Sequence, residues 1–392
     1  MVCEKNKDVE FDFDNDAIQT YVDGDWLKAK GTTLGADDGI GIAMEMALLK
    51  ANDIEHGPIE CVFTRDEETG LTGAFEMKPG FMTGDYLINL DSEDEGQLFV
   101  SCAGGVRTEA TYTVDEEKLP EGFSTFNLVV KGLTGGHSGD DINKKRANAN
   151  KLLVRFLCEQ SEKTDLRLCD IQAGGLHNAI PREAHATVAV PTAYVTTFGE
   201  ELQAFVEKVR DEFSATEPEL TAVIEPVAAA PTCICKEQAE RLLKSLSVVH
   251  NGIFAMSQDL EGLVETSSNL ASVHKHGNQI VATTSQRSSV ASNLEYMASV
   301  VRSAFELGGA KCVTNEGYPG WKMNPKSEIL KVCVDSYKRL FGKDPLVRAI
   351  HAGLECGLFS EKYPHLDMVS FGPTLRGVHS PDERLLIPTV QM

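Results

Sequence analysis

Two adjacent carboxylates, Glu67 and Glu68, sit in the segment Thr64-Arg65-Asp66-Glu67-Glu68-Thr69-Gly70, directly after an apolar run containing Ile59, Cys61, Val62 and Phe63. At a strand end such a pair suits two jobs: one carboxylate can bind a metal while its neighbour moves protons. Three more candidate ligands, Asp37, Asp91 and His379, stand at expected strand or loop ends. Asp37 lies in Gly35-Ala36-Asp37-Asp38-Gly39, where it could bridge two cations, although Asp at a helix start is also an ordinary N-cap. Asp91 follows the apolar Leu87-Ile88-Asn89-Leu90, so it should emerge at the carboxyl edge of a sheet, where α/β sites form. His379 belongs to Gly377-Val378-His379-Ser380-Pro381-Asp382-Glu383. Zinc accepts nitrogen and oxygen ligands, and two ions roughly 3.5–4 Å apart need a shared carboxylate plus terminal His and carboxylate ligands. Singly, each residue reads equally as a solvated acid or a surface histidine. Together, Asp37, Glu68, Asp91 and His379 match a two-metal hydrolase.

The elements that must position these residues are readable from periodicity. The Gly-Ala-Asp-Asp-Gly turn opens an Ala/Met-rich helix over 40–49, and residues 59–63 and 86–90 read as short buried strands. Near residue 104 the character changes. Thr108, Ala110, Tyr112 and Val114 alternate as in a strand, and 126–130 is another. Residues 148–159 read as a helix with Leu152, Leu153, Phe156 and Leu157 on one side. Val290, Leu294, Met297, Val301 and Phe305 recur at helical spacing and stop at Gly308-Gly309. A helix starting near Pro325 or Ser327 should bury Ile329, Cys333, Tyr337 and Leu340, and strands over 346–350 and 368–371 follow. The fold class expected is α/β, with a catalytic domain over residues 1–104 and 311–392 and an inserted, strand-rich α+β domain over 105–310.

Composition narrows the function classes. The chain has 392 residues, 42% of them hydrophobic, and carries a net charge of −22 without a large Lys/Arg cluster. Nucleic acid and anionic membranes are therefore poor partners. No apolar run approaches the roughly 20 residues of a membrane span. The start, Met1-Val2-Cys3-Glu4-Lys5, lacks the apolar core of a signal peptide, and the ten scattered cysteines fit reduced thiols in a cytoplasmic enzyme. Cys233-Ile234-Cys235 lacks a second Cys/His pair nearby and is not read as a metal site. In the middle region, Gly132-Leu133-Thr134-Gly135-Gly136-His137-Ser138-Gly139 sets four glycines around a histidine, which permits close backbone approach to a ligand. A glycine-rich turn with an exposed His is the plain alternative.

These motifs, in this order, resemble the di-zinc metallopeptidases that include aminoacylases, carboxypeptidase G and carnosinases, and within them the Xaa-His dipeptidases. The resemblance rests on 31–39, Gly135-Gly136-His137-Ser138-Gly139, Asn178-Ala179-Ile180-Pro181-Arg182-Glu183-Ala184, Ala352-Gly353-Leu354-Glu355-Cys356-Gly357-Leu358-Phe359 and His379-Ser380-Pro381-Asp382-Glu383. It implies a di-zinc aminopeptidase-like catalytic domain with an inserted lid, and two divalent metal ions, Zn2+ with Co2+ or Mn2+ as alternatives. By the same resemblance Asp37 bridges the ions, Glu68 and His379 ligate one, and Asp91 the other. Glu67 becomes the general base that takes a proton from a metal-bridging water. His137 becomes the lid's oxyanion donor. Asn178, Arg287 (in Ser285-Gln286-Arg287-Ser288) and Glu355 become substrate-gripping groups. For Arg287 a structural salt bridge is the competing reading. The implied reaction is hydrolysis of dipeptides with a free amino terminus, Xaa-His among them. A small peptide is the expected partner and a homodimer the expected assembly.

The resemblance departs at both ends. The family's early His-x-Asp motif has no counterpart, since Met1-Val2-Cys3-Glu4 aligns just after it, and the C-terminus stops before a final helix. A chain truncated at both ends, with one metal weakly held and activity impaired, is the expectation. Two alternatives follow: a related tripeptidase or N-acyl-amino-acid deacylase, and a remnant that binds metal or peptide without turnover.

Overall fold

The computed structural model describes residues 1–390. The chain divides into two compact units: Met1–Cys102 with the stretch from Gly320 onward, and Ala103–Pro319.

The first unit is α/β. A four-stranded sheet runs in the order Leu346–Ile350, Gln97–Cys102, Asp367–Ser370, Tyr86–Asn89, and its outer pairs are parallel. Helices Ala36–Lys50, Glu328–Phe341 and Glu355–Lys362 belong to this unit, as does an antiparallel four-stranded sheet containing Trp26–Ala29 and Arg384–Leu386. Local chemistry explains the helix Glu328–Phe341. Ser327 caps it by accepting from Leu330 N–H, Glu328 stands in the first turn, Lys338 and Arg339 in the last, and Gly342 at φ 68° ends it. The core gathers Met82, Cys102, Trp321, Cys356, Leu358, Phe359 and Met368.

Three expectations for this unit need correction. Residues 59–63 form no strand; they are paired into none of the sheets, and Phe63 is 51% exposed. An apolar run becomes a strand only where a neighbour accepts its ladder, which composition does not reveal. Tyr86–Asn89 is a strand but an outer one, with Tyr86 and Ile88 exposed. On the helix Glu328–Phe341, Tyr337 is buried and Leu340 is 66% exposed.

The second unit holds a nine-stranded antiparallel sheet. Its centre is the ladder from Ala184–Pro191 through Arg167–Gly174, Val264–His276 and Gln279–Ser288 to Gly104–Thr113. Helices Ala149–Lys163, Val195–Glu212, Lys236–Val248 and Ala291–Leu307 pack their apolar faces with it into one core. Phe156 sits between Phe198 and Phe205 at centroid distances of 5.4 and 5.2 Å. The strand Lys311–Thr314, expected in the flanking domain, instead pairs with Gly104–Thr113, so this unit extends to Pro319 rather than residue 310. Among the described residues no helix is long and apolar enough to cross a membrane.

Candidate metal centre and active site

Asp37 lies in the first turn of the helix Ala36–Lys50, yet both Asp37 and Asp38 have non-helical φ/ψ, and the N-cap is Gly35 at φ 74°. Asp37 is therefore not the cap, and its side chain is available for other work. His379 Nε2 lies 3.0 Å from Asp37 Oδ2 and 2.9 Å from Glu68 Oε2. One donor atom each from Asp37, Glu68 and His379 falls within 4.8 Å of the others. Asp91 stands outside that triad but touches it through Asp37: burial first, then Asp38, Asp37 and Glu67, push its carboxyl well above the usual range. Glu68 is raised by burial and by the same Asp37. Asp37 thus acts on both Glu68 and Asp91.

Glu67 follows Asp66, which is held at φ 54°. Burial, reinforced by Glu68, Glu355 and Asp37, lifts its carboxyl to about 7, against a smaller opposing pull from His379. Asp38 is lifted to about 7 as well, mainly by burial. Glu355 opens the helix Glu355–Lys362; its Oε2 accepts from Thr64 Oγ1 at 3.0 Å, and its buried Oε1 has no hydrogen-bond partner. Asp37, Asp38, Glu67, Glu68, Asp91 and Glu355 all line one cavity of about 1760 Å³ within the first unit. Among the described residues no Lys or Arg forms an ion pair with any of them.

Packing acids together with one histidine and no cationic side chain costs free energy unless a cation is supplied. Three carboxylates and one imidazole make a hard-to-borderline donor set that fits zinc, manganese or cobalt. The residues present therefore fit a divalent metal.

The remaining candidates lie in the second unit. His137 and Asn178 come together because the short strands Gly136–His137 and Ala179–Ile180 pair antiparallel, with Ala179 opposite His137 and Ser138 N–H donating to Asn178 O at 2.8 Å. The glycines are required: a Cβ on Gly135 would meet Arg182 Cγ at 2.2 Å, and one on Gly136 would meet Asp141 Oδ2 at 2.3 Å. His137 Nδ1 lies 3.2 Å from Asp140 N and 3.4 Å from Asp140 Oδ2, and the side-chain contact holds the Asp140 carboxyl below its usual range. Asp141 accepts from His137 N–H at 2.8 Å, and buried Glu217 accepts from Thr134 and Ala147 N–H, tying both ends of the loop. Arg287 is buried in the long strand Gln279–Ser288. Its Nη1 donates to Tyr318 Oη at 2.9 Å, its Nε has no partner, and it makes no ion pair among the described residues, which removes the salt-bridge reading. Arg287, Arg107 and His137 sit near enough to His177 to lower its pKa, after the larger effect of burial.

Sequence reasoning passed over Asp140, Asp141, Glu217 and Glu383 as individual actors. Their partners are mostly backbone N–H groups, which leave no mark in a residue pattern.

A family model, peptidase family M20/M25/M40, matches residues 11–391. The chain belongs to this peptidase family. It is 43% identical over 390 residues to the cytosol non-specific dipeptidase of Escherichia coli (strain K12), an alignment covering all of this chain and 80% of that protein. It is also similar to the crystal structure of aminoacylhistidine dipeptidase from Vibrio alginolyticus, with 44% identity, TM-score 0.94, and coverage of 100% of this chain and 80% of that one. Aminopeptidase PepT from Bacillus cereus shares the fold at 15% identity and TM-score 0.53, over 95% of this chain and 73% of that structure. The M20 architecture, a catalytic α/β domain with an inserted lid domain, is the fold of this chain.

Proposed function

We propose that this chain is a metal-dependent dipeptidase acting on dipeptides with a free amino terminus, aminoacyl-histidine dipeptides among them. The single observation that carries the reading is the meeting of Asp37, Glu68 and His379 within 4.8 Å, with Asp91 acting on the same Asp37, in a half-buried acid cluster that no Lys or Arg among the described residues pairs with. The likeness to two proteins named as dipeptidases supports the reaction class.

Asp37, Glu68, Asp91 and His379 would hold two divalent ions, with Zn2+ preferred. Bound there, the metal supplies Lewis-acid activation of water and of the scissile carbonyl. Glu67, with a carboxyl near neutrality, accepts the proton of the attacking water and returns it to the leaving amine. Glu355 offers an unpartnered carboxylate oxygen to the substrate's free ammonium group. In the inserted lid, the His137 imidazole donates to the oxyanion. Arg287, buried and without an ion pair among the described residues, takes the substrate carboxylate, and Asn178, in the turn just before the strand Ala179–Ile180, grips the substrate. The reading places the enzyme in the cytoplasm, where its ten free thiols stay reduced, and as a homodimer.

The test is a substrate panel on the zinc-reconstituted chain: β-alanyl-histidine, simple dipeptides, a tripeptide and an N-acetyl amino acid. Turnover confined to dipeptides with a free amine supports the reading. Preference for the N-acetyl substrate points to a deacylase, and metal binding without any turnover to a non-catalytic remnant.

A further inference from the structure

His379 is held in the left-handed region at φ 61°, and Asp37 stands outside helical φ/ψ. A non-glycine residue in the left-handed region, as His379 is, persists there only where its surroundings impose it. One side chain reaches both places. Glu383, four residues beyond His379, is 2% exposed. Its Oε2 accepts from Leu34 and Gly35 N–H at 2.8 and 2.9 Å, and its Oε1 from Ala36 and Asp37 N–H at 2.8 and 3.2 Å. Four consecutive amides, ending at the proposed bridging ligand, thus converge on one carboxylate. At the other end Glu383 N–H donates to Ser380 O at 3.0 Å, and Ser380 Oγ donates to Gly377 O at 2.7 Å, so the carboxylate is anchored in the His379 loop itself. Charge-assisted bonds to backbone N–H groups are short and directional, so the grip sets position as well as stability.

We infer that Glu383 is a positioning residue of the metal centre, fixing the spacing between His379 and Asp37 before any cation arrives. The inference rests on the metal reading above. It differs from a purely structural staple, whose loss would lower stability without changing the affinity of the folded chain for metal.

The experiment compares zinc affinity, by chelator competition on the metal-stripped full chain, with thermal unfolding for each variant. Glu383→Gln keeps the size but removes the charge, and should weaken zinc binding about 10- to 100-fold, the usual cost of losing a group that orients a ligand. Lys362→Met is the stability control. It removes three hydrogen bonds to the carbonyls of Ala74, Phe75 and Met77 in the same unit, none of them to a proposed ligand, and should lower the melting temperature while leaving zinc affinity unchanged. Glu383→Asp keeps the charge on a shorter arm and should fall between the parent and Glu383→Gln; if Glu383→Gln does not fold, Glu383→Asp carries the comparison. Equal zinc affinity in the parent and the Glu383 variants, or equal weakening in Lys362→Met, overturns the inference. A parent chain that binds no zinc overturns the metal reading itself.

Discussion

The two candidate regions, the acid-lined cavity of the first unit and the glycine–histidine loop of the second, solve the problem of holding polar groups in opposite ways. The loop is complete by itself: Asp141 and Glu217 accept from its amides, Asp140 N–H donates to His137 Nδ1, and Arg146 pairs with Asp141. The cavity is incomplete by itself, because Glu67, Glu68, Asp38 and Asp91 are all driven toward protonation by burial and by one another. Packing repeats the contrast. The second unit buries Phe156, Phe198 and Phe305 in a single core, whereas the first leaves Ile42, Met46, Leu49, Phe63 and Tyr86 exposed. The first region fits a cation, and the second holds the His137 ring on a loop whose own hydrogen bonds are already made.

Glu67→Gln should give the largest effect that leaves the metal in place. Removing a general base costs roughly 100- to 10,000-fold in rate, and steady-state kinetics should find that loss in kcat with zinc content unchanged. Asp37→Asn should abolish both turnover and zinc retention, checked by metal analysis after dialysis. His137→Gln sharpens the comparison from the other side. Removing one oxyanion donor costs about 100- to 1,000-fold in kcat, while zinc affinity should stay at the parent value, because the loop's own hydrogen bonds do not involve the acids. Arg287→Met should act mainly on KM, raising it about tenfold, or about 1.4 kcal/mol, with a smaller effect on kcat.

The smallest expected effect is thermodynamic and separates the stripped chain from the loaded one. Glu67 and Asp38 have folded carboxyls near 7, raised from 4.5 and 3.8 mainly by burial. The folded chain therefore binds more protons than the unfolded one between those values. Stability from these groups is fully present below about pH 4 and is lost as pH rises through about 7. The melting temperature of the metal-stripped chain should fall between pH 5.5 and pH 7.5, and saturating zinc should remove most of that fall. Melts that show the same pH dependence with and without zinc would contradict the contrast.

Much of this arrangement was legible in the residues. The helices Ala36–Lys50, Ala149–Lys163, Ala291–Leu307 and Glu328–Phe341 announce themselves by apolar spacing and by terminal residues such as Asn148, Ser327 and Gly308. Asp37, Glu68, Asp91 and His379 stand out as candidates by their residue types and motifs, and the structure brings Asp37, Glu68 and His379 together. What the pattern withholds is non-local. Residues 59–63 look like a strand, yet pairing depends on a neighbour that periodicity does not show. Lys311–Thr314 has no local mark assigning it to the sheet it joins. Glu383 reads as one acid among many until its four amide partners, some 346 residues away in sequence, are seen.

The measurement that tests the central claim most directly is calorimetric titration of zinc into the metal-stripped 392-residue chain, paired with hydrolysis of a free-amine dipeptide before and after the titration. Saturable zinc binding that restores turnover, with both lost in Asp37→Asn, is the predicted result. Zinc binding that is absent, or that persists unchanged in Asp37→Asn, would contradict it.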